Sequence, residues 1–153
     1  MLKEGMKAPE FSLLDQNENI VSLSNFKGQK IVVYFYPKDA TPGCTAQACS
    51  FRDAYEDYKT LNVPIIGISM DSSSSHANFA SKQELQFHLL ADTEGKVIKD
   101  YDVWQLKVKD GDEYMGIVRT TYLINENGII EKVYDKVNPE ENAKEILVYL
   151  NNK

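Results

Sequence analysis

Two continuous apolar runs, KIVVYFYP (residues 30–37) and VPIIGISM (residues 63–70), constrain the fold of this chain most strongly. Runs without apolar–polar alternation are typical of strands that are buried on both faces of a sheet. The segment between the two runs is long enough for a crossover helix. The whole chain has 153 residues, a length that fits one compact domain, and we predict a single domain over residues 1–153.

The first part of the chain also contains a hairpin signal and a helix signal. FSLL (residues 11–14) and IVSL (residues 20–23) flank the polar turn DQNEN and predict a small antiparallel hairpin. A helix is predicted over about residues 44–61, because apolar side chains recur there at steps of three and four. Its apolar stripe comprises Cys44, Ala48, Phe51, Tyr55 and Tyr58.

The second part of the chain continues the alternation of strands and helices. The last helix is predicted to begin with Asn138 as its N-cap, Pro139 at its first position, and Glu140 and Glu141 in its first turn. Together these elements predict an α/β sandwich around a mixed sheet, of the thioredoxin-like kind. The elements that precede the last helix are a loop DSSSS (71–75) leading into a helix (about 75–84), a strand (88–91), a short helix within 95–104, and two strands (118–124 and 129–134) joined by the turn NENG.

Charge and composition exclude several classes of function. The net charge is −6, which argues against nucleic acid or an anionic membrane as the main partner. No apolar run approaches the roughly 18 residues that a membrane-spanning helix needs. The opening MLKEGMKAPEF has no hydrophobic core of a secretory signal, so we predict a cytoplasmic protein. Two cysteines are too few for a disulfide scaffold, and in a reducing compartment a close pair is catalytic, redox-sensing or metal-binding.

Both cysteines lie in TPGCTAQAC, residues 41–49. Cys44 is predicted at a helix N-terminus, where unpaired backbone N–H groups and the helix macrodipole favour a nucleophilic thiolate. The alternative is a small apolar residue that fills the core. In a regular helix, Cys44 and Cys49 would have Cα atoms about 8.7 Å apart, whereas a disulfide needs about 4.4–6.8 Å. The pair can therefore join only if the first turn or two of the helix unwinds.

One arginine and two histidines are further candidates for functional residues. Arg119 stands at the head of a strand that is otherwise interior, where a guanidinium is costly unless it meets an anion. A nearby thiolate would be such an anion, and an ordinary ion pair with a carboxylate is the alternative. The histidines, His76 and His88, are each predicted to be surface or packing residues, because the chain has no C-x-x-C or H-x-x-H pattern for zinc.

The motif Pro37-x-x-x-Thr41-x-x-Cys44 resembles the active-site signature of peroxiredoxins. The wider stretch YFYPKDATPGCTAQACSFRD is similar to the peroxiredoxin Q branch, also called bacterioferritin comigratory protein. The resemblance continues through PIIGISMD, FHLLADTEGKVIKDYDVW and YMGIVRTTYLI, and covers most of the chain in order. One departure is Ala40, where the family often has Asn or another polar residue.

The resemblance implies a fold and a role for each motif residue. The fold would be a thioredoxin-like three-layer sandwich of the peroxiredoxin type, with an N-terminal hairpin. Cys44 would be the peroxidatic cysteine and Cys49 the resolving cysteine. The remaining residues would serve the peroxide step: Pro37 and Pro42 by shaping the loop, Thr41 through its hydroxyl, Gly43 through its backbone N–H, and Arg119 by holding the thiolate and polarising the peroxide.

The implied activity is reduction of hydrogen peroxide and organic hydroperoxides through a Cys44 sulfenic acid and a Cys44–Cys49 disulfide. Thioredoxin or a similar dithiol would recycle the enzyme, and no metal or organic cofactor is expected. A resolving cysteine in the same helix fits a monomer, with room for a weak dimer. Two alternatives stay open: a thiol–disulfide oxidoreductase without peroxidase activity, against which the missing C-x-x-C speaks, and a non-enzymatic redox-sensing or metal-binding module.

Overall fold

A seven-stranded mixed sheet forms the centre of the computed structural model, which describes residues 1–152. The strand order is β2-β1-β5-β4-β3-β8-β9, and β6 and β7 form a separate two-stranded sheet. The strands are β1 (Ser12–Leu14), β2 (Ile20–Ser22), β3 (Ile31–Phe35), β4 (Ile65–Ser69), β5 (His88–Ala91), β6 (Trp104–Lys109), β7 (Asp112–Ile117), β8 (Thr120–Ile124) and β9 (Ile130–Asp135). The helices are α1 (Pro42–Asp53), α2 (Tyr55–Thr60), α3 (Ser73–Gln83), α4 (Lys96–Asp100) and α5 (Asn142–Asn151), and a 3-10 turn spans Leu23–Phe26.

The two apolar runs lie side by side at the middle of the sheet. β3 pairs with β4 in parallel and with β8 in antiparallel orientation, and every residue of these three strands is buried. The predicted N-terminal hairpin is β1–β2, and the predicted pair of strands around NENG is β8–β9. The thioredoxin-like α/β fold with a mixed sheet is thus confirmed.

Helices cover both faces of the sheet. Alternate residues of β3 point to opposite sides, so Val33 and Phe35 pack with α4, while Val32 and Tyr34 pack with α1, α3 and α5. The stripe of α1 lies on the second side, where Phe51 stacks on Tyr34 with ring centroids 4.9 Å apart. Among residues 1–152, no helix is long and apolar enough to cross a membrane.

The predicted helix over residues 44–61 is two helices. α1 begins two residues earlier than predicted, with Pro42 at its first position, a place that suits the missing N–H and fixed φ of proline. Ala54 lies between α1 and α2 with φ −93° and ψ 2°. Beyond this break, the hydroxyl of Tyr58 donates a 2.6 Å hydrogen bond to the carbonyl of Ala143 in α5.

The predicted start of the last helix was wrong. α5 begins at Asn142, with Glu141 in the N-cap position. The side chain of Asn138 accepts a hydrogen bond from the N–H of Glu140, and its carbonyl accepts from that of Glu141. The carbonyl of Asn138 also accepts from the N–H of Asn142, so Asn138 caps a single turn that precedes α5.

The β6–β7 hairpin was not predicted. Strand β6, WQLKVK, alternates apolar and polar residues, but its apolar side chains Leu106 and Val108 are exposed, so the alternation marks no buried face. The available signal was Asp110-Gly111, which forms the connection with positive φ at both residues. Asp-Gly at that position is typical of a tight hairpin turn.

Candidate active site

Cys44 is the third residue of α1, on the side that faces the sheet. Its side chain is only 2% exposed. The loop after β3 delivers the chain to Thr41, the N-cap of α1, whose side chain makes no capping hydrogen bond to the helix. At any helix start the first N–H groups have no intrahelical acceptor, so those of Gly43 and Cys44 can face a negative charge.

Arg119 immediately precedes β8 and reaches Cys44 from the neighbouring strand. Its Nη2 donates to the Sγ of Cys44 at 3.4 Å, and its Nη1 donates to the Oε1 of Gln47 at 2.8 Å. No carboxylate of residues 1–152 lies within ion-pairing distance of Arg119. The sequence left open a thiolate or a carboxylate as the partner of Arg119. In the structure the partner is the thiol of Cys44.

Gly43 makes room for this guanidinium. A Cβ atom built on Gly43 would lie 3.1 Å from Nη2 of Arg119 and 3.9 Å from Cγ of Pro139. The first distance is shorter than an ordinary van der Waals contact. A glycine therefore lets the arginine lie directly over the start of α1.

Gln47 is a site residue that the sequence reasoning missed. It is fully buried, and besides accepting from Arg119 it donates from Nε2 to the Oδ1 of Asn142 at 3.2 Å. The same Oδ1 accepts from the hydroxyl of Thr121 at 2.7 Å. The available signal was spacing, because Gln47 lies three residues after Cys44 and so shares its buried face.

Thr41 and Pro37 border the loop that precedes α1. The hydroxyl of Thr41 donates to the carbonyl of Lys38 at 2.9 Å, and Pro37 follows β3 half-buried. Ala40 has a φ of +64°, a left-handed conformation in which Asn is better tolerated than other non-glycine residues. The one departure from the family pattern thus falls at a strained backbone position.

Cys49 lies in the same continuous helix as Cys44, and both thiols are free. Its side chain is half-buried, and its Sγ donates to the Oε1 of Gln83 in α3 at 3.4 Å. It borders a surface groove together with Asp53. An intact α1 therefore separates the two thiols as the sequence predicts.

Asp39, Asp71 and His76 lie beside the loop and have the donor types of a metal site. Each is already engaged: the ring nitrogens of His76 face Asp39 and the carbonyl of Leu90, and Asp71 accepts from the N–H of Asp39 and from Ser69. Both ring nitrogens of His76 are thus already occupied by hydrogen bonds within the protein. The three side chains form a hydrogen-bond network around the loop.

Comparisons with known proteins show which sequences and structures this chain resembles. A model of the AhpC/TSA family matches residues 5–133. Peroxiredoxin Bcp of Bacillus subtilis (strain 168) is 47% identical over 143 residues, which cover 94% of this chain and 91% of that protein. The chloroplastic peroxiredoxin Q of Suaeda salsa is 45% identical over 152 residues, with 97% and 68% covered.

Two solved structures are similar over nearly the whole chain. One comes from work on the alkyl peroxide reduction activity of the bacterioferritin comigratory protein of Xanthomonas campestris, with a TM-score of 0.88, 31% identity, and 93% of this chain and 90% of that chain covered. The other is a cysteine-to-serine mutant of Xylella fastidiosa PrxQ, with a TM-score of 0.93, 29% identity, and 99% and 97% covered.

Proposed function

The chain belongs to the AhpC/TSA family, in its Bcp/peroxiredoxin Q branch, and is a thiol-dependent peroxidase; on this premise we propose that Cys44 is its peroxidatic cysteine and Cys49 its resolving cysteine. The observation that carries the proposal is the 3.4 Å contact from Arg119 to the Sγ of Cys44. It occurs at a helix start where the side chain of the N-cap residue, Thr41, makes no capping hydrogen bond.

In the peroxide step the Cys44 thiolate attacks one oxygen of ROOH. An S–O bond forms, the O–O bond breaks, and the leaving RO⁻ takes a proton to become ROH or water. Cys44 is oxidised to a sulfenic acid. Arg119 and the N–H groups of Gly43 and Cys44 face the charge that develops on the leaving oxygen, and this arrangement lowers the barrier.

Gln47 and Thr41 orient the reacting groups in this proposal. The Oε1 of Gln47 holds one arm of the Arg119 guanidinium, so that the other arm points at the thiol. The proton of the Thr41 hydroxyl is engaged by the carbonyl of Lys38. The lone pairs of that hydroxyl are therefore the part of Thr41 that meets the peroxide, and they accept its O–H. Pro37 and Pro42 fix the backbone on either side of Thr41.

In the second step Cys49 attacks the sulfur of the sulfenic acid. An S–S bond forms, and the sulfenic oxygen leaves as water. Because five residues of intact helix hold the thiols too far apart, the start of α1 unwinds and Cys49 leaves Gln83. A dithiol then reduces the disulfide by exchange.

A peroxide substrate and a thiol reductant follow from membership of the peroxiredoxins. We propose thioredoxin as the reductant and both hydrogen peroxide and organic hydroperoxides as substrates. The alkyl peroxide reduction of the Xanthomonas protein supports the organic substrates. We further propose that residues 1–153 form a single domain and that the protein is cytoplasmic. We propose that it acts as a monomer, because both proposed reacting cysteines lie on α1.

Mass spectrometry after one equivalent of hydrogen peroxide tests the two cysteine roles. The reduced protein should lose two hydrogens and yield a peptide crosslinked between Cys44 and Cys49. Cys49→Ser should stop at a sulfenic acid that dimedone traps at Cys44, and Cys44→Ser should not react. Rapid peroxide consumption by Cys44→Ser, or a trapped adduct at Cys49, would show that the roles are wrongly assigned.

A further inference from the structure

A buried Asp–His pair lies directly beside the loop that leads to Cys44. We propose that Asp39 and His76 form an ion pair that positions this loop for the peroxide step, and that both are positioning residues of the enzyme. The inference rests on the proposed roles of Cys44 and Cys49. It assigns a function to two residues that contact neither the proposed reacting cysteines nor Arg119.

The contact is short and shielded from solvent. The Nδ1 of His76 lies 2.7 Å from the Oδ2 of Asp39. His76 is completely buried in the first turn of α3, and Asp39 is 7% exposed in the loop after β3. A buried histidine beside a buried carboxylate needs a defined proton arrangement, because an unmatched polar atom there is costly.

The partners of His76 determine that arrangement. Its Nε2 lies 2.9 Å from the carbonyl oxygen of Leu90 in β5, which can only accept a hydrogen bond, so Nε2 carries a proton. Its Nδ1 faces a carboxylate oxygen, so a second proton lies between His76 and Asp39. The ring is therefore an imidazolium beside a carboxylate, or a neutral imidazole beside a carboxylic acid.

The other donors around Asp39 favour the ionised pair. The carboxylate accepts from the hydroxyl of Tyr36 at 2.6 Å and from that of Ser75 at 2.8 Å. Burial raises the pKa of Asp39, but the hydrogen bonds from His76, Tyr36 and Ser75 outweigh burial and hold the pKa below its usual value. With Asp39 ionised, both protons of the ring belong to His76.

The pair acts on the start of α1 through the backbone of the loop. Asp39 is held at its side chain by His76 and at its N–H by the Oδ2 of Asp71, at 2.8 Å. The adjoining Ala40 has a positive φ, a strained conformation that persists only when its surroundings fix it. Two residues beyond the anchor, the carbonyl of Thr41 accepts the first hydrogen bond of α1, from Thr45.

This anchor should affect the two chemical steps differently. The peroxide step needs an ordered helix start, because donors must already point at the reacting oxygens. The disulfide step needs that same start to unwind. Weakening the anchor should therefore slow the first step and leave the second unchanged or faster, whereas general loss of structure does not separate the steps in this way.

Asp39→Asn tests the proposal, and Asp15→Asn is its matched control. Asp15 is also buried and pairs with a histidine, its Oδ2 lying 3.0 Å from the Nδ1 of His88 at the start of β5. His88 begins β5, whereas Cys44 follows the end of β3, and β3, β4 and β5 run parallel. The control pair and Cys44 therefore lie at opposite ends of these strands. The two rate constants are measured by rapid quench and mass spectrometry, with limiting hydrogen peroxide.

Asp39→Asn should lower the second-order rate constant of Cys44 oxidation about tenfold or more, while disulfide formation keeps or exceeds its wild-type rate. Asp15→Asn should leave both rate constants close to those of the wild type. A wild-type peroxide step in Asp39→Asn, or equal slowing of both steps, would overturn the positioning role.

Nitrogen-15 NMR of the histidine rings in the reduced wild-type protein gives a test that needs no variant. Both ring nitrogens of His76 should show a directly bonded proton, one towards the carbonyl of Leu90 and one towards the carboxylate of Asp39. A ring with one bare nitrogen would disprove the ion pair, whether or not Asp39→Asn folds.

Discussion

Because glycine has no side chain, the guanidinium of Arg119 can lie close to the backbone of Gly43. The 3.1 Å approach between a Cβ at Gly43 and Nη2 leaves no room for even a methyl group unless the arginine moves. Because Nη2 is the atom that contacts Cys44, the absence of a side chain at Gly43 controls the position of the cation, separately from the role proposed for the Gly43 N–H.

Gly43→Ala should therefore slow Cys44 oxidation by about tenfold, because a small displacement of a positioned donor has a large kinetic cost. The measurement is the second-order rate constant with hydrogen peroxide. Arg119→Ala provides the reference background: in that variant, adding Gly43→Ala should have almost no further effect. Equal slowing by Gly43→Ala in both backgrounds would mean that the methyl group acts by some route other than Arg119.

At the scale of single elements, β3 carries a buried hydroxyl that has no hydrogen-bond partner in the described part of the chain. Tyr34 is almost fully buried, and among residues 1–152 its hydroxyl makes no hydrogen bond. Gly67 of β4 lies opposite it in register, and a Cβ there would come within 2.9 Å of that hydroxyl oxygen. The ring of Tyr34 supports α1 through Phe51, so the ring stabilises the fold while its hydroxyl imposes a desolvation cost.

Tyr34→Phe should raise the free energy of unfolding by about 1–3 kcal/mol, the usual cost of an unsatisfied buried polar group. Urea denaturation of the reduced protein measures the change. Tyr58→Phe is the control with the opposite sign, because its hydroxyl donates to the carbonyl of Ala143, and we expect it to lower stability. Loss of stability in both variants would imply that the Tyr34 hydroxyl has a partner such as a bound water.

An element could be predicted from the sequence when the residues that determine it lie within the element itself. β3, β4 and β8 were predictable, because burial on both faces is recorded in the composition of each run. The start of α5 was not, because Asn142 is the residue that meets Gln47 and Thr121 from distant parts of the chain. The local signal at Asn138 was equally compatible with a helix cap and with a turn.

The same distinction holds for the site. The motif singled out Thr41 and Cys44, the close cysteine pair singled out Cys49, and the cost of burying a guanidinium singled out Arg119. Three other residues depend on contacts across the fold. Gln47, Asp39 and His76 acquire their place only when α1, the loop after β3 and α3 come together.

At the scale of the whole molecule, the Asp39–His76 pair links stability to pH. The folded protein holds the pKa of Asp39 below its usual value, so in acid the unfolded chain binds more protons at this residue than the folded chain does. Asp39 therefore stabilises the fold above the usual carboxyl pKa, and this contribution is lost as pH falls through the lower pKa of the folded state. Tyr36, Ser75 and His76 are the groups that donate to its carboxylate.

Asp39→Asn should be less stable than the wild type at pH 7 by at least about 1 kcal/mol, because donors aimed at a carboxylate meet a neutral amide. The difference should shrink as pH falls from 7 through the lowered pKa of Asp39 in the folded state, where the wild-type carboxylate also becomes neutral. Urea denaturation of both proteins at a series of pH values gives the difference in the free energy of unfolding at pH 7 and its change with pH. If the difference in the free energy of unfolding between the wild type and Asp39→Asn stays constant with pH, the charge of Asp39 contributes nothing to stability.

The position of both cysteines on α1 has a consequence for a cell that makes few copies of this protein. If Cys49 resolves Cys44 within one chain, the local concentration of the second thiol is set by covalent connection and is independent of the amount of protein. Dilution then leaves the disulfide step unchanged. Each molecule can complete the oxidative half of its cycle alone, and scarcity lowers only the number of molecules at work.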